Sequence, residues 1–283
     1  MAIPANLIDG IKRLDPLPVT LQRLLKALRD DNTGASEVGE IVQFDHAVVA
    51  GLLRAANSAA CGGWSRTESV REAVARLGKT RVTGIVFGDH FRRMTVPMPF
   101  YDLTEDDLWR HATAATLAVR AIAQECPGAG LDEMAAIAAL VHDVGKLVMV
   151  RYLHADFARI VKLRQERGAS FVEAEREVCG CDHAEVGGEI ASHWGFPHDI
   201  GDAIARHHDP AITDPTPALD AVIVANVVAK TISAGLGAEG LDLRIDDGCL
   251  ERLKLSFDAF SRVVYVTHAG LKEQSDAFAR KTA

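Results

Sequence analysis

The apolar positions of the chain recur mostly at helical spacing. Leu17, Leu21, Leu24, Leu25 and Leu28 follow the i, i+4, i+7 rule of an amphipathic helix, and Asp30-Asp31-Asn32 predicts its end. Ser36 is placed to cap a second helix through about Phe44, and a third is predicted from about Ala47 to Asn57. Val70, Val74 and Leu77 repeat the pattern between Ser69 and Gly78, a glycine suited to a C-terminal cap. Residues 82–88 have strand-like propensity, but no partner strand is in sight, so a helix is expected there as well. The fold class predicted is all-α.

Punctuation divides this pattern. Residues 95–103 carry two prolines and read as a linker between an N-terminal helical bundle (1–94) and a C-terminal helical core (104–283) on which it packs. Two further loops are expected at 209–217 and 234–248. Thr104 and Asp107 form a capping box that opens a helix to about Glu125, with an inward stripe of Leu108, Ala112, Ala115, Val119 and Ile122. His111 falls at the edge of that stripe.

The next segment departs from amphipathicity. From Met134 to Val150 nearly every residue is apolar or glycine, the mark of a buried helix. Its exceptions, His142, Asp143 and Lys146, fall within one wedge of about 100° on an ideal helix. A buried carboxylate is costly unless it is paired or binds a metal. Two readings stay open from this helix alone: a metal site, or an Asp143–Lys146 ion pair at i, i+3 beside a hydrogen-bonded histidine. Further histidines lie where helices begin and end. Asp182-His183-Ala184-Glu185 is a capping box that puts His183 in the first turn of a helix ending at Trp194-Gly195. Pro197 opens another helix, which closes at His207-His208-Asp209-Pro210, where two histidines also suit the helix dipole. The apolar run Ala221–Ala229 is interrupted only by Asn226.

Bulk properties remove several function classes. A net charge of -8 disfavours DNA binding by broad phosphate neutralisation, and the Arg92-Arg93 pair reads as solvated surface. Cys61, Cys126, Cys179, Cys181 and Cys249 are odd in number and scattered, so reduced thiols and a cytoplasmic location are expected. Met1 to Gly10 lacks the pattern of a secretory leader, and no apolar run reaches membrane-spanning length, so no membrane association is expected.

In order, Leu108-Trp109-Arg110-His111, Leu140-Val141-His142-Asp143-Val144-Gly145-Lys146, Asp182-His183-Ala184-Glu185-Val186-Gly187 and His207-His208-Asp209-Pro210 resemble the motifs of the HD superfamily of metal-dependent phosphohydrolases. The match is closest to its HDOD family, the HD-related output domains of bacterial signalling proteins. Leu17-Pro18, Leu52-Leu53-Arg54-Ala55-Ala56-Asn57-Ser58 and Glu72-Ala73-Val74-Ala75-Arg76-Leu77-Gly78 extend the resemblance over about residues 14–210. It implies metal ligands at His111, His142, Asp143, His183, His207 and His208, with Asn226 where HD hydrolases carry a final aspartate. The Gly-Tyr-Pro motif of the cyclic-di-GMP-cleaving relatives is absent, and Asp45-His46 replaces a customary Asp-Pro.

These departures favour an output module that acts by binding a signalling protein partner or a small nucleotide. The alternative is a metal-dependent phosphohydrolase acting on a nucleotide or phosphoester, in which Asp143 and Lys146 would be catalytic. A scaffold with a relic site is the third reading. Histidine-rich ligation favours iron, manganese, zinc or nickel, and with one anionic ligand one ion is expected rather than two.

Overall fold

The computed structural model describes residues 3–30, 32–58, 66–209, 212–235, 237 and 243–282. The expected roles of Asp31, Cys61 and Pro210, and part of the 234–248 loop, lie outside them. The described residues are helical throughout, with a single antiparallel bridge, Met98 to Leu103, and no strand ladder. None of the described helices is long and apolar enough to cross a membrane.

Two compact units are present. Residues 15–94 form one of them. It comprises α2 (Val19–Arg29), α3 (Ala35–Val42), α4 (His46–Ala56), α5 (Val70–Leu77) and α6 (Lys79–Met94), following α1 (Ala5–Lys12) in the chain. Leu21, Leu24 and Leu25 form the buried face of α2, as the leucine spacing predicts. Residues 82–88 are indeed helical, inside α6. Two starts differ from expectation. Gly34, not Ser36, stands at the N-cap of α3, without a side-chain bond, and Asp45 caps α4 through the Ala47 and Val48 amides.

The second unit combines residues 1–14 with 95–283, so α1 does not belong with the helices that follow it. The apolar face of α1, Leu7 and Ile11, packs on α9 (Gly145–Tyr152) and α12 (His183–His193). Around them stand α7 (Glu105–Glu125), α8 (Glu133–Val141), α10 (His154–Arg167), α11 (Phe171–Cys179), α13 (His198–Arg206), α14 (Pro217–Thr231), α15 (Asp247–Leu253) and α16 (Phe257–Thr282). α7 is central, packed against α8, α14 and α16. The capping boxes at Thr104 and Asp182 form with both reciprocal bonds, fixing where α7 and α12 begin.

The apolar segment 134–150 is a correction. It is not one helix but two, α8 and α9, with His142, Asp143 and Val144 between them. Val144, Lys146 and Leu147 donate to the carbonyls three residues back, those of Val141, Asp143 and Val144. The helix therefore tightens to 3₁₀-type pairing at the polar residues. The 100° wedge drawn on an ideal helix does not apply there, because the turn that carries the polar groups is overwound.

Candidate metal centre

The polar residues predicted from the sequence meet at one place in the second unit. His111 projects from α7, His142 and Asp143 from the α8–α9 break, Lys146 from α9, and His183 from the first turn of α12. His207 and His208 follow the end of α13, and Asn226 lies midway along α14. His142 and His183 are fully shielded, and His111, Asp143, Lys146, His207 and Asn226 are 5% exposed or less. His208 is half-buried.

Asp143 is the hub. Its Oδ2 accepts from Lys146 Nζ at 2.8 Å, and its Oδ1 lies 3.2 Å from His183 Nε2. Three more Nε2 atoms, those of His142, His111 and His207, approach its oxygens at 3.6, 3.7 and 3.8 Å. The Asp143–Lys146 ion pair expected under one of the two sequence readings is present, and it sits inside a cluster of histidines. Donor atoms form two groups, His111 with His142 and Asp143, and His183 with His207 and His208, each within 4.8 Å.

The other ring nitrogen is held by an oxygen in four of these histidines. Nδ1 meets the Ala139 carbonyl in His142 (2.7 Å), the Ile204 carbonyl in His207 (2.8 Å), the Ala234 carbonyl in His111 (3.1 Å) and Glu175 Oε2 in His183 (2.8 Å). Such bonds fix the tautomer, with Nδ1 donating and Nε2 turned inward. His111 Nε2 also lies 3.1 Å from the Asn226 side-chain amide, and with Nδ1 donating to Ala234 the two bond when that amide presents its NH2 group to the ring.

Electrostatics separate the histidines. Burial pushes His142 below the ordinary imidazole value, and His207 and His208 well below it, so all three are neutral at pH 7. Burial acts the same way on His183, but the Glu175 and Asp143 carboxylates outweigh it and raise that imidazole to about 10. Burial would raise Asp143, yet Lys146, His142 and His183 hold it well below the usual carboxylate range. Burial keeps the nearby Cys179 and Cys181 protonated, pushed up to about 11 and about 12, so neither supplies a thiolate.

Two neutral buried nitrogens here, His142 Nε2 and His207 Nε2, have no hydrogen-bond partner, and His183 Nε2 and Asp143 Oδ1 pair only with each other, 3.2 Å apart. All four face one region, as the donor set of a metal site requires. A void of about 10 Å³ lies beside His111, Asp143 and Lys146. On the side of His207 and His208 a cleft of about 440 Å³ opens, with Arg176, Lys230 and Arg244 among its charged walls and Ile223 and Val227 among its apolar ones.

Two residues of the site carried no signal in the sequence. Glu175 stands in an ordinary amphipathic helix with other glutamates, and Tyr101 in the proline-rich linker, yet both are fully buried behind His183.

Comparison with known proteins agrees with this architecture. An uncharacterised protein of Treponema pallidum is 23% identical over 230 residues, 81% of this chain and 44% of that protein. Ribonuclease Y of Thermus thermophilus is 37% identical over 122 residues, 42% of this chain and 20% of the enzyme. The chain thus spans less than half the length of the curated relatives it matches. An HDOD domain protein of unknown function from Geobacter sulfurreducens superposes with a TM-score of 0.68 at 23% identity, over 98% of this chain and 94% of that one. A presumed phosphohydrolase from Shewanella amazonensis gives 0.65 at 22% identity, over 93% and 98%. These two likenesses concern the fold. The HDOD domain model itself matches residues 14–210, which is most of the chain, and the protein belongs to the HDOD family.

Proposed function

We propose that the chain is a signalling output module in which the buried cluster holds one divalent transition-metal ion and the adjoining cleft receives a small nucleotide or a segment of a signalling partner. The unpartnered buried nitrogens, His142 Nε2 and His207 Nε2, support this reading most, with the His183 Nε2–Asp143 Oδ1 pair beside them. Each such atom costs about 1–3 kcal/mol when left unpaired, and a single cation engages several at once. His142, Asp143, His183 and His207 are the first candidates to hold it, flanked by His111, His208 and Asn226. Imidazole-rich donors suit iron, manganese, zinc or nickel better than magnesium or calcium.

Charge favours the module over a hydrolase. Asp143 is the one carboxylate in the two donor groups, and Lys146 already engages its Oδ2. Glu175 is turned to the back of His183, and Asn226 brings no charge. One dication fits this balance better than two. The cleft, at about 440 Å³, is of the size of small-ligand sites. Arg176, Lys230 and Arg244 share its walls with Glu173, Asp209 and Asp246 and with apolar Ile223 and Val227, so its size rather than its net charge supports a small ligand.

The second reading is a metal-dependent phosphohydrolase, favoured by the placing of Lys146 and Asp143 on the same void. A bound ion there supplies Lewis acidity and a water of lowered pKa, and Lys146 would steady phosphoryl charge. Elemental analysis of the purified chain, with a phosphodiesterase and phosphatase panel in added Mn²⁺ or Fe²⁺, tests both. One ion per chain without turnover supports the module, and turnover lost in Asp143→Ala supports the hydrolase. Two tightly held ions refute the one-ion reading, and none at all leaves a scaffold with a relic site.

A further inference from the structure

Glu175 and Tyr101 lie outside the donor groups, yet neither has any exposed surface. A carboxylate is buried at that depth only when its lone pairs are met. Glu175 divides its two oxygens. Oε1 accepts the Tyr101 hydroxyl at 2.6 Å, while Oε2 accepts both the backbone N–H of His183 at 3.0 Å and its ring Nδ1 at 2.8 Å. One carboxylate oxygen thus holds residue 183 by its main chain and its ring together. With Nδ1 tied back, the ring presents Nε2 at 3.2 Å from Asp143 Oδ1.

The tyrosine is itself fixed. Its ring stands edge-on to Phe157 at 5.3 Å between centroids and tilts against Phe171 at 4.9 Å. The Lys146 ammonium lies 5.5 Å from the ring centroid, so one aromatic side chain touches the surroundings of both Asp143 and His183. Its loop is closed by the paired backbone bonds of Met98 and Leu103. The Tyr101 carbonyl lies against Gly237, which has φ +50° and no room for a β-carbon. A phenylalanine would keep the ring packing and lose the hydroxyl's bond to Glu175 together with its long contact to Met149 Sδ at 3.9 Å.

We propose that Tyr101 is a positioning residue of the metal site, acting through Glu175 to set the orientation of His183. The consequence for metal binding rests on the one-ion reading above; the orientation of the ring does not. Carboxylates behind a ligating imidazole commonly change metal affinity by about 10–100-fold when altered, and Tyr101 extends that support by one further bond.

The test compares the full chain with Tyr101→Phe and Glu175→Gln, using His183→Asn to assign the His183 signal. In metal-free protein, proton NMR follows solvent exchange of the His183 Nδ1–H. In a parallel titration, Co²⁺ affinity is read from its visible absorption. Tyr101→Phe is expected to unfold as cooperatively as the parent, to exchange this proton about tenfold faster, and to bind Co²⁺ about tenfold more weakly. Glu175→Gln should show the larger loss in both. Parent-like exchange and Co²⁺ affinity in Tyr101→Phe overturn the proposal. If the parent binds no Co²⁺, the metal reading fails by itself and the exchange rate alone decides the role of Tyr101. Should Tyr101→Phe not fold, unchanged exchange in Glu175→Gln overturns it equally.

Discussion

Gly145 runs so close beneath His183 that a β-carbon on it would clash with the His183 carbonyl oxygen and lie 2.8 Å from the Gly187 amide nitrogen. This contact joins α9 to α12, and so sets the distance between Asp143, two residues before the glycine, and the His183 ring.

Gly145→Ala therefore sets two effects against each other. Alanine favours a helix over glycine by about 1 kcal/mol. The obstacle is backbone, with no flexible side chain to yield, and overpacking of this kind typically costs about 1–3 kcal/mol. With the backbone obstacle placing the cost in the upper part of that range, the net expectation is a loss of about 1–2 kcal/mol in urea unfolding of the metal-free chain. Gly128→Ala is the control. Nothing lies within 4 Å of its β-carbon position, and a change within about 0.5 kcal/mol is expected there. Equal stability of the two variants would mean that α9 and α12 separate freely.

That contact also explains why part of the site was hidden in the sequence. The caps at Thr104 and Asp182 were legible because they are local, made by residues three apart. His142, Asp143 and Lys146 were legible because polar groups interrupt an apolar run. The break between α8 and α9 was not, since residues 134–150 form an almost unbroken apolar run in which the single Gly145 reads as tolerated within a helix. The close packing of Gly145 on α12 accompanies the tightened turn. Glu175 and Tyr101 lie 74 residues apart, and neither has a neighbour in sequence that marks it. The place of α1 was likewise hidden, because an apolar face states that a helix packs but not on what.

Lys146 is expected to oppose the metal ion. In the metal-free chain it pairs with Asp143 at 2.8 Å, both groups almost wholly buried. Lys146→Met strips that carboxylate of its main cation, and breaking a buried pair typically costs about 3–5 kcal/mol. The same change frees Oδ2 and removes a positive charge from beside the ion. Chelator competition with Zn²⁺ should then show affinity raised by about tenfold, equivalent to about 1.4 kcal/mol. Stability lost and affinity gained in one variant is the signature. Weaker Zn²⁺ binding would show instead that Lys146 helps to shape the donor set. Asp143→Asn combined with Lys146→Met should recover much of the lost stability, because no charge is then stranded.

Metal binding should release a proton, and its source is His183. That imidazole is raised to about 10, so it is protonated at pH 7.5, whereas His142 and His207 lie below the ordinary value and are already neutral. An ion taking His183 Nε2 must expel its proton. Affinity should therefore rise with pH, by about tenfold per unit at neutral pH, and level off near pH 10. Calorimetric titration in buffers of different ionisation enthalpy should give about one proton per ion at pH 7.5. No buffer dependence would mean that His183 is either neutral beforehand or not a ligand. The same shift has the opposite sign for folding. A group raised above its unfolded value stabilises the metal-free chain most below the unfolded value of 6.5, and this contribution is lost as pH climbs towards 10.

Asn226 offers the sharpest test of the charge argument. Its side-chain amide lies 3.1 Å from His111 Nε2, in a position 5% exposed on α14. Asn226→Asp preserves shape and adds one negative charge beside the donor group of His111, His142 and Asp143. In metal-free protein the new carboxylate lies beside His111 Nε2, and a hydrogen bond from a proton on that nitrogen limits the cost of burial. In the presence of Mn²⁺ or Fe²⁺ the anionic donors become two, enough to offset a second dication in part. Elemental analysis should move from about one ion per chain towards two. The phosphodiesterase panel run on the same variant then separates stoichiometry from chemistry. Two ions with new turnover would identify the missing charge as what holds this site back from hydrolysis. Two ions without turnover would place the deficit elsewhere, in the walls of the cleft. An unchanged single ion would show that Asn226 serves only as the hydrogen-bond partner of His111.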